Sequence, residues 1–320
     1  MAWALLLLII GLLLLWRGAD FLVGGAVGLA ERMGVSQLVM GLTVVAMGTS
    51  APEVAAGIAA AIDGKGDIAI GNVYGSNVAN LALIGGLTAL IHPLRVQAGT
   101  LRREIPAMLG TALLLWPVLR DLTVSRIDGI ALLAVFGVLV GHTVRAARAR
   151  RGSKQIEELH VVVERARTVG REILYIVLGL AALAVGARAT VSGAITLGSR
   201  IGLSDAVIGS TIVAIGTSLP ELVTSVVAAL KGHHDISVGN LVGSNIFNTL
   251  FVTGIAGLVH PFVVSGRFAG VDYGIMIGVS LAFVAAALAG GRTIRRSGGI
   301  ALLVVYGAYL AYLLHFSSPA

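Results

Sequence analysis

The sequence predicts an all-α polytopic membrane protein of ten transmembrane helices, arranged as two five-helix repeats of inverted topology. Three observations carry that prediction. The 320 residues are 57% hydrophobic and 12% charged, with a mean hydropathy of +0.94, too few charges to cover a soluble domain of this size. Apolar stretches of about 20 residues, the length that crosses a bilayer as a helix, recur along the whole chain. The chain also repeats itself: Gly18–Val96 aligns without a gap on Gly186–Val264, 168 positions later, with about 35 identities in 79 positions.

The composition excludes other classes. The short alternating segments of a membrane β-barrel are not visible. The 43 glycines lie within the apolar runs, where small residues let helix backbones approach. A net charge of +7 would suggest nucleic acid in a soluble chain; here it reads as topological, and the expected partner is the lipid bilayer, not nucleic acid. With no cysteine, disulfides, iron–sulfur clusters and thiolate metal sites are ruled out. No basic region precedes the first apolar run, so Ala2 onward reads as a retained helix and not a cleaved signal.

Taken in order, the apolar runs place helices at about 2–31, 35–62, 67–91, 100–120 and 124–149, then at about 169–199, 203–230, 236–259, 268–290 and 298–316. His92-Pro93 and His260-Pro261 are expected to terminate helices at the interface. The first repeat is 1–149, the hydrophilic stretch 150–168 is a linker, and the second repeat is 169–320. Five helices per half is an odd number, so the second half enters the membrane from the opposite side, the architecture of many secondary transporters. Placing the linker in the cytoplasm puts 16 Lys and Arg inside against 5 outside. That bias sets both termini outside in a multi-pass inner (plasma) membrane protein. Lipid head-group contact by the basic linker is compatible with it.

The most informative stretch occurs twice, as Gly48-Thr49-Ser50-Ala51-Pro52-Glu53 and Gly216-Thr217-Ser218-Leu219-Pro220-Glu221. Each copy is followed by a second polar signature, Gly75-Ser76-Asn77-Val78-Ala79-Asn80 and Gly243-Ser244-Asn245-Ile246-Phe247-Asn248. Thr49 and Glu53, Thr217 and Glu221, Ser76 and Asn80, and Ser244 and Asn248 are each four apart, which stacks both side chains on one helix face. All are hard oxygen donors, suited to Na⁺, Ca²⁺ or Mg²⁺ and poorly matched to zinc or copper. Pro52 and Pro220 have no N–H, so the carbonyls of Gly48 and Gly216 lose their helical partners. A discontinuous helix with a free carbonyl beside a glutamate suits a midplane cation site.

Two carboxylates give that site a formal charge of −2, which one Ca²⁺ or two Na⁺ neutralise. Without a cation the two would repel, so proton competition is expected. A lone Thr or Ser in a membrane helix bonds its own i−4 carbonyl about as often as it serves a ligand, and a lone Asn often joins helices. Embedded, duplicated glutamates without a matching Lys or Arg weigh against such a structural role for Glu53 and Glu221. Arg17, Asp20 and Arg188 break the repeat symmetry and read as structural ion pairs or snorkelling groups. His233-His234 sits in a short loop and reads as solvated.

On these residues the chain resembles the cation/Ca²⁺ exchanger superfamily, most closely its prokaryotic Na⁺/Ca²⁺ exchangers, over nearly its whole length. The resemblance implies that Glu53 and Glu221 are central ligands shared by Ca²⁺ and Na⁺, with Thr49 and Thr217 adding oxygens at the Ca²⁺ position. It implies flanking Na⁺ positions at Ala46, Ser50 and Ser76 and at Ala214, Ser218 and Ser244. Asn80 and Asn248 would close the middle. It further implies that the first and sixth helices slide against the rest, a role that the Gly-rich runs 18–28 and 179–202 suit. Some members, K⁺-dependent exchangers among them, carry aspartate where this chain has Asn248; asparagine at both 80 and 248 argues against a K⁺ requirement. A stretch of about 20 residues at the centre is too short for the regulatory domain of animal exchangers.

The expected function is electrogenic Na⁺/Ca²⁺ antiport by alternating access, extruding Ca²⁺ as Na⁺ enters, in a protein that works as a monomer without a cofactor. H⁺/Ca²⁺ exchange, or exchange of another divalent cation, is the alternative among transporters. A cation channel also uses rings of oxygens but more naturally forms them from symmetric subunits. An intramembrane hydrolase is disfavoured because Ser50 and Ser218 have no motif-linked base; no enzymatic activity is expected.

Overall fold

The computed structural model describes residues 2–152, 169–200 and 214–316. Within them the first half runs through α1 (Ala2–Met33), α2 (Gln37–Thr49), α3 (Ala51–Ile62), α4 (Gly66–Ile91), α5 (Ala98–Arg102), α6 (Glu104–Val118) and α7 (Arg126–Gly152). The second half repeats the series as α8 (Val169–Arg200), α9 (Ala214–Thr217), α10 (Leu219–Leu230), α11 (His234–Val259), α12 (Gly266–Ala269), α13 (Val271–Ala289) and α14 (Arg296–Phe316). The start of the expected helix 203–230 and most of the linker 150–168 lie outside the described residues.

Among the described residues, seven helices are long and apolar enough to cross a membrane, and the pair α2–α3, bent by 47°, makes an eighth. Of the two other expected spans, one is shorter and the other is described only in its second part. Helix α6 has 15 residues and α10 has 12. The expected helix 100–120 divides at Arg103, whose backbone (φ −128°, ψ −59°) leaves the helical region. The expected helix 35–62 divides at Ser50 (φ −84°, ψ 12°), with Pro52 in the first turn of α3. A proline is tolerated there because the first-turn N–H has no partner to lose. His92 and His260 do end their helices, both in extended backbone.

Two short antiparallel ladders join the halves. Strand β1 (Leu94–Arg95) pairs with β4 (Thr293–Ile294), and β2 (Thr123–Val124) pairs with β3 (Phe262–Val263). The first strand of each half thus binds the second strand of the other. Helices α1 and α8 lie side by side along their length with the same reciprocity. A Cβ on Gly18 would stand 2.8 Å from the Gly179 carbonyl oxygen, and one on Gly11 would stand 2.9 Å from the Gly186 oxygen. Only glycine permits backbones this close.

Two acidic groups within the apolar runs, Asp20 and Glu172, are paired. Asp20 on α1 forms an ion pair with Lys231, just after α10, so it is the structural pair expected. Arg17 and Arg188 are exposed. Glu172 on α8 is buried and receives Arg32 of α1 at 3.2 Å and Arg171 at 3.1 Å.

Candidate ion site

The two halves meet where their helices break. Ser50 ends α2 and starts α3, and Ser218 stands in the same place between α9 and α10, with φ −90° and ψ 7°. Each break puts a glutamate in the first turn of the next helix, where backbone N–H groups and the dipole favour negative charge. Glu53 and Glu221 are both 1% exposed. The Ser50 hydroxyl donates to Glu221 Oε1 at 2.7 Å and lies 3.0 Å from the Ser244 hydroxyl. One half therefore supplies the carboxylate and the other the hydroxyl that meets it.

Packed across these breaks are α4 and α11. Ser76 and Asn80 on α4, and Ser244 and Asn248 on α11, are all buried. Asn80 and Asn248 lie in wide π-turns, Ala79–Ile84 and Asn248–Val252, and a third π-turn, Gly41–Val45, precedes the Thr49 motif. Such turns recur at functional sites because they re-aim side chains and loosen the carbonyl ladder. Ala46 is fully buried. Thr217 is half-buried, and Ala214 opens α9, its side chain lying outside the described ones.

The Thr49 hydroxyl keeps its helical bond to the Val45 carbonyl at 3.1 Å and also meets Asn240 Oδ1 at 3.2 Å. The plain structural role of a membrane threonine thus holds for that hydroxyl. Its carbonyl remains a candidate donor.

Four asparagines that the motif spacing did not single out organise the site. Asn72 Nδ2 donates to the Glu53 carbonyl at 3.1 Å, and Asn240 Nδ2 to the Glu221 carbonyl at 3.3 Å. These are equivalent bonds at equivalent positions, and they hold each glutamate's turn against the neighbouring helix. Asn245 accepts from Asn80 Nδ2 at 3.0 Å and donates to the Asn77 carbonyl at 3.3 Å, while Asn77 Nδ2 donates to Thr249. The signal was available, since all four recur at the 168-residue offset.

Several donors at this centre are left over. Ser218 and Ser76 stand beside the Glu53 carboxylate, but outside hydrogen-bond geometry. Among the described residues, neither carboxylate oxygen of Glu53 has a hydrogen-bond partner, nor does Glu221 Oε2, the Ser218 hydroxyl, Asn80 Oδ1 or either carboxamide atom of Asn248. Orphaned buried oxygens are costly and rare. Apart from one amide nitrogen they are all oxygens, the donor set of a hard cation. A cavity of about 780 Å³, lined by Thr49, Pro52, Thr217 and Pro220 on one side and by α8 from Leu180 to Ser192 on the other, adjoins them.

Residues 3–144 and 171–315 match the family described as sodium/calcium exchanger protein. The chain belongs to the sodium/calcium exchanger family. A relative described as putative antiporter CaxA of Alkalimonas amylolytica is 39% identical, over 98% of this chain and 99% of its own. The sodium/calcium exchanger MaX1 of Methanosarcina acetivorans is 32% identical, over 97% and 98%. The solved structure of the sodium-calcium exchanger NCX_Mj, soaked with 10 mM Na⁺ and no Ca²⁺, superposes with a TM-score of 0.84 at 31% identity, covering 98% of this chain and 99% of that one. This exchanger is thus a helical, polytopic membrane protein with the NCX_Mj fold.

His233-His234, expected in a solvated loop, is half-buried at the start of α11. His233 Nδ1 lies 3.1 Å from Gln37 Oε1, and the His234 ring stands 5.1 Å from that of His92.

Proposed function

We propose that this exchanger is an electrogenic Na⁺/Ca²⁺ antiporter that works by alternating access and extrudes Ca²⁺ as Na⁺ enters. One observation carries the reading. Two fully buried glutamates, one from each half, converge with hydroxyl and carboxamide groups, and several of the oxygens have no hydrogen-bond partner among the described residues. Glu53 and Glu221 would hold either one Ca²⁺ or Na⁺ ions as substrate. The Thr49 and Thr217 carbonyls extend the Ca²⁺ position. Ser50, Ser76 and Ala46 on one side, and Ser218, Ser244 and Ala214 on the other, provide flanking Na⁺ positions. Asn80 and Asn248 face the centre. Occupancy by the two ions is mutually exclusive because they use the same carboxylates, and this exclusion is what couples their fluxes.

The reciprocal ladders and the reciprocal glycine contacts of α1 and α8 support two halves related by an in-plane two-fold, with ten spans. On that reading the basic linker is cytoplasmic, both termini are outside, and the protein works as a monomer in the inner membrane.

The test is ⁴⁵Ca²⁺ uptake into proteoliposomes loaded with Na⁺, with K⁺ and proton gradients clamped. Uptake that requires internal Na⁺ and responds to voltage is the expected result. Uptake that ignores Na⁺ and follows an imposed pH gradient would transfer the exchanger to H⁺/Ca²⁺ coupling and overturn the counter-ion. Conductance without a counter-ion would make it a channel.

A further inference from the structure

Outside the glutamate site, one pair of side chains has the geometry of a ligand set. We infer that His92 and His234 form a second metal site, selective for imidazole-seeking divalent ions such as Cu²⁺, Ni²⁺ or Zn²⁺, at the end of the molecule where α4 stops and α11 starts.

The two rings have centroids 5.1 Å apart and planes inclined at 35°. Two imidazoles sharing one ion at about 2.0–2.1 Å in a tetrahedral shell put their ring centres about 5 Å apart. Both Nδ1 atoms are shut off from solvent, and neither has a hydrogen-bond partner. A buried imidazole nitrogen without a partner is an exception among folded proteins, and here two such atoms occur on adjacent rings.

The backbone holds both residues at fixed points. His92 caps α4 in extended backbone, and His234 is the first residue of α11. Arg95 and His233 face His234 as well, and their charge opposes a cation there. Asp235 follows in the chain, its Oδ2 accepting from Gln97 at 2.6 Å. Among the described residues no cluster of three His, Asp or Glu is positioned to hold a metal, so water completes the shell. A site with two imidazoles and water suits the borderline ions and not Ca²⁺ or Na⁺.

The pair is also one-sided. The repeat places His260 opposite His92, but Gly66 opposite His234. A Cβ on Gly66 would run into the backbone of Val263, so that end of the molecule cannot carry the second ligand. The inference does not rest on the proposed transport function.

The experiment uses the full-length chain without a histidine tag, purified in detergent, titrated with Cu²⁺ and followed by electron paramagnetic resonance. The expected result is one tightly bound Cu²⁺ per chain whose spectrum shows coupling to two imidazole nitrogens. His92→Gln and His234→Gln should each remove one nitrogen and weaken binding by about 10- to 100-fold or more. His260→Gln and His233→Gln should leave the signal unchanged, and Glu53→Gln should too. A wild-type spectrum without two-nitrogen coupling overturns the site whatever the variants do. So does retention of that coupling in His92→Gln or His234→Gln, or its loss in His233→Gln.

Discussion

Replacing Gly18 by alanine tests the α1–α8 interface at one of its close backbone contacts. The added Cβ would sit 2.8 Å from both the Gly179 oxygen and the Leu183 nitrogen. Close C···O contacts in packed helices run at about 3.3–3.6 Å, so the axes must separate by about 0.5–0.8 Å. Overpacking of this kind costs about 1–3 kcal/mol. Alanine also returns about 0.5–1 kcal/mol of backbone entropy, which leaves a net loss of about 1 kcal/mol at the middle of both ranges. Gly24, on the same helix, has nothing within 4 Å of the position an added methyl would take, so Gly24→Ala collects the entropic gain alone. The two substitutions should therefore have opposite signs.

The assay is thermal unfolding of the purified exchanger in detergent. Gly18→Ala should lower the midpoint by a few degrees and Gly24→Ala should raise it. Gly18→Ala combined with Gly179→Ala should cost less than the sum, because both methyls enter one contact. Combined with Gly193→Ala, near Ala4 and Leu8, the losses should add. If Gly18→Ala unfolds at or above the Gly24→Ala midpoint, the backbone contact is not what orders these helices.

Four further outcomes are expected. Glu53→Gln and Glu221→Gln should each abolish coupled flux while holding or raising the unfolding midpoint, since each removes a buried charge; normal flux in either would remove that residue from the site. Asn245→Ala should cost about 2–4 kcal/mol, because it deletes two buried bonds and strands the Asn80 amide; an unchanged midpoint would refute this. Arg32→Gln should destabilise by about 1–3 kcal/mol and Arg171→Gln by less than about 1 kcal/mol. Both arginines contact Glu172, but their side chains are 23% and 58% exposed, so equal losses would contradict the burial argument. Acidification should reduce Na⁺-driven Ca²⁺ uptake at clamped voltage, because a carboxylate must be deprotonated to ligate a cation; flux that rises with acid would mean the proton is a substrate.

The doubled motifs make the elements of the candidate site legible in the sequence alone, because a repeat multiplies a weak signal. Glu53 alone is one embedded carboxylate, whereas Glu53 with Glu221 is a design. What the repeat supplies is equivalence, not proximity. Nothing in the offset says that Ser50 reaches Glu221, since that contact depends on how the two halves dock. The break at Ser50 is half-legible. Pro52 announces lost hydrogen bonding, but a proline two residues into a new helix leaves the same trace as one that kinks a continuous helix. Pairs that break the repeat are not legible at all. At the 168-residue offset Glu172 stands opposite Ala4, before the aligned stretch begins, and Arg32 opposite Arg200, so their ion pair across 140 residues leaves no mark in either half.

The departures from symmetry bear on how such a site changes access. If both halves held one conformation, Ser218 would meet Glu53 as Ser50 meets Glu221. The structure closes one of these bonds. Ser50 is engaged at 2.7 Å, while Ser218 and both Glu53 oxygens have no hydrogen-bond partner among the described residues. Similar sequences thus hold two arrangements of one local contact, which is the raw material of a two-state element. On the proposed reading of two inverted halves, swapping those arrangements would carry the site from facing one side to facing the other. Ser50→Ala and Ser218→Ala should then have unequal effects on apparent Ca²⁺ affinity measured from the two membrane faces. Each should weigh more heavily on the face for which its bond to the opposite glutamate is formed. Equal effects from both faces would mean that the asymmetry belongs to side-chain packing and plays no part in access.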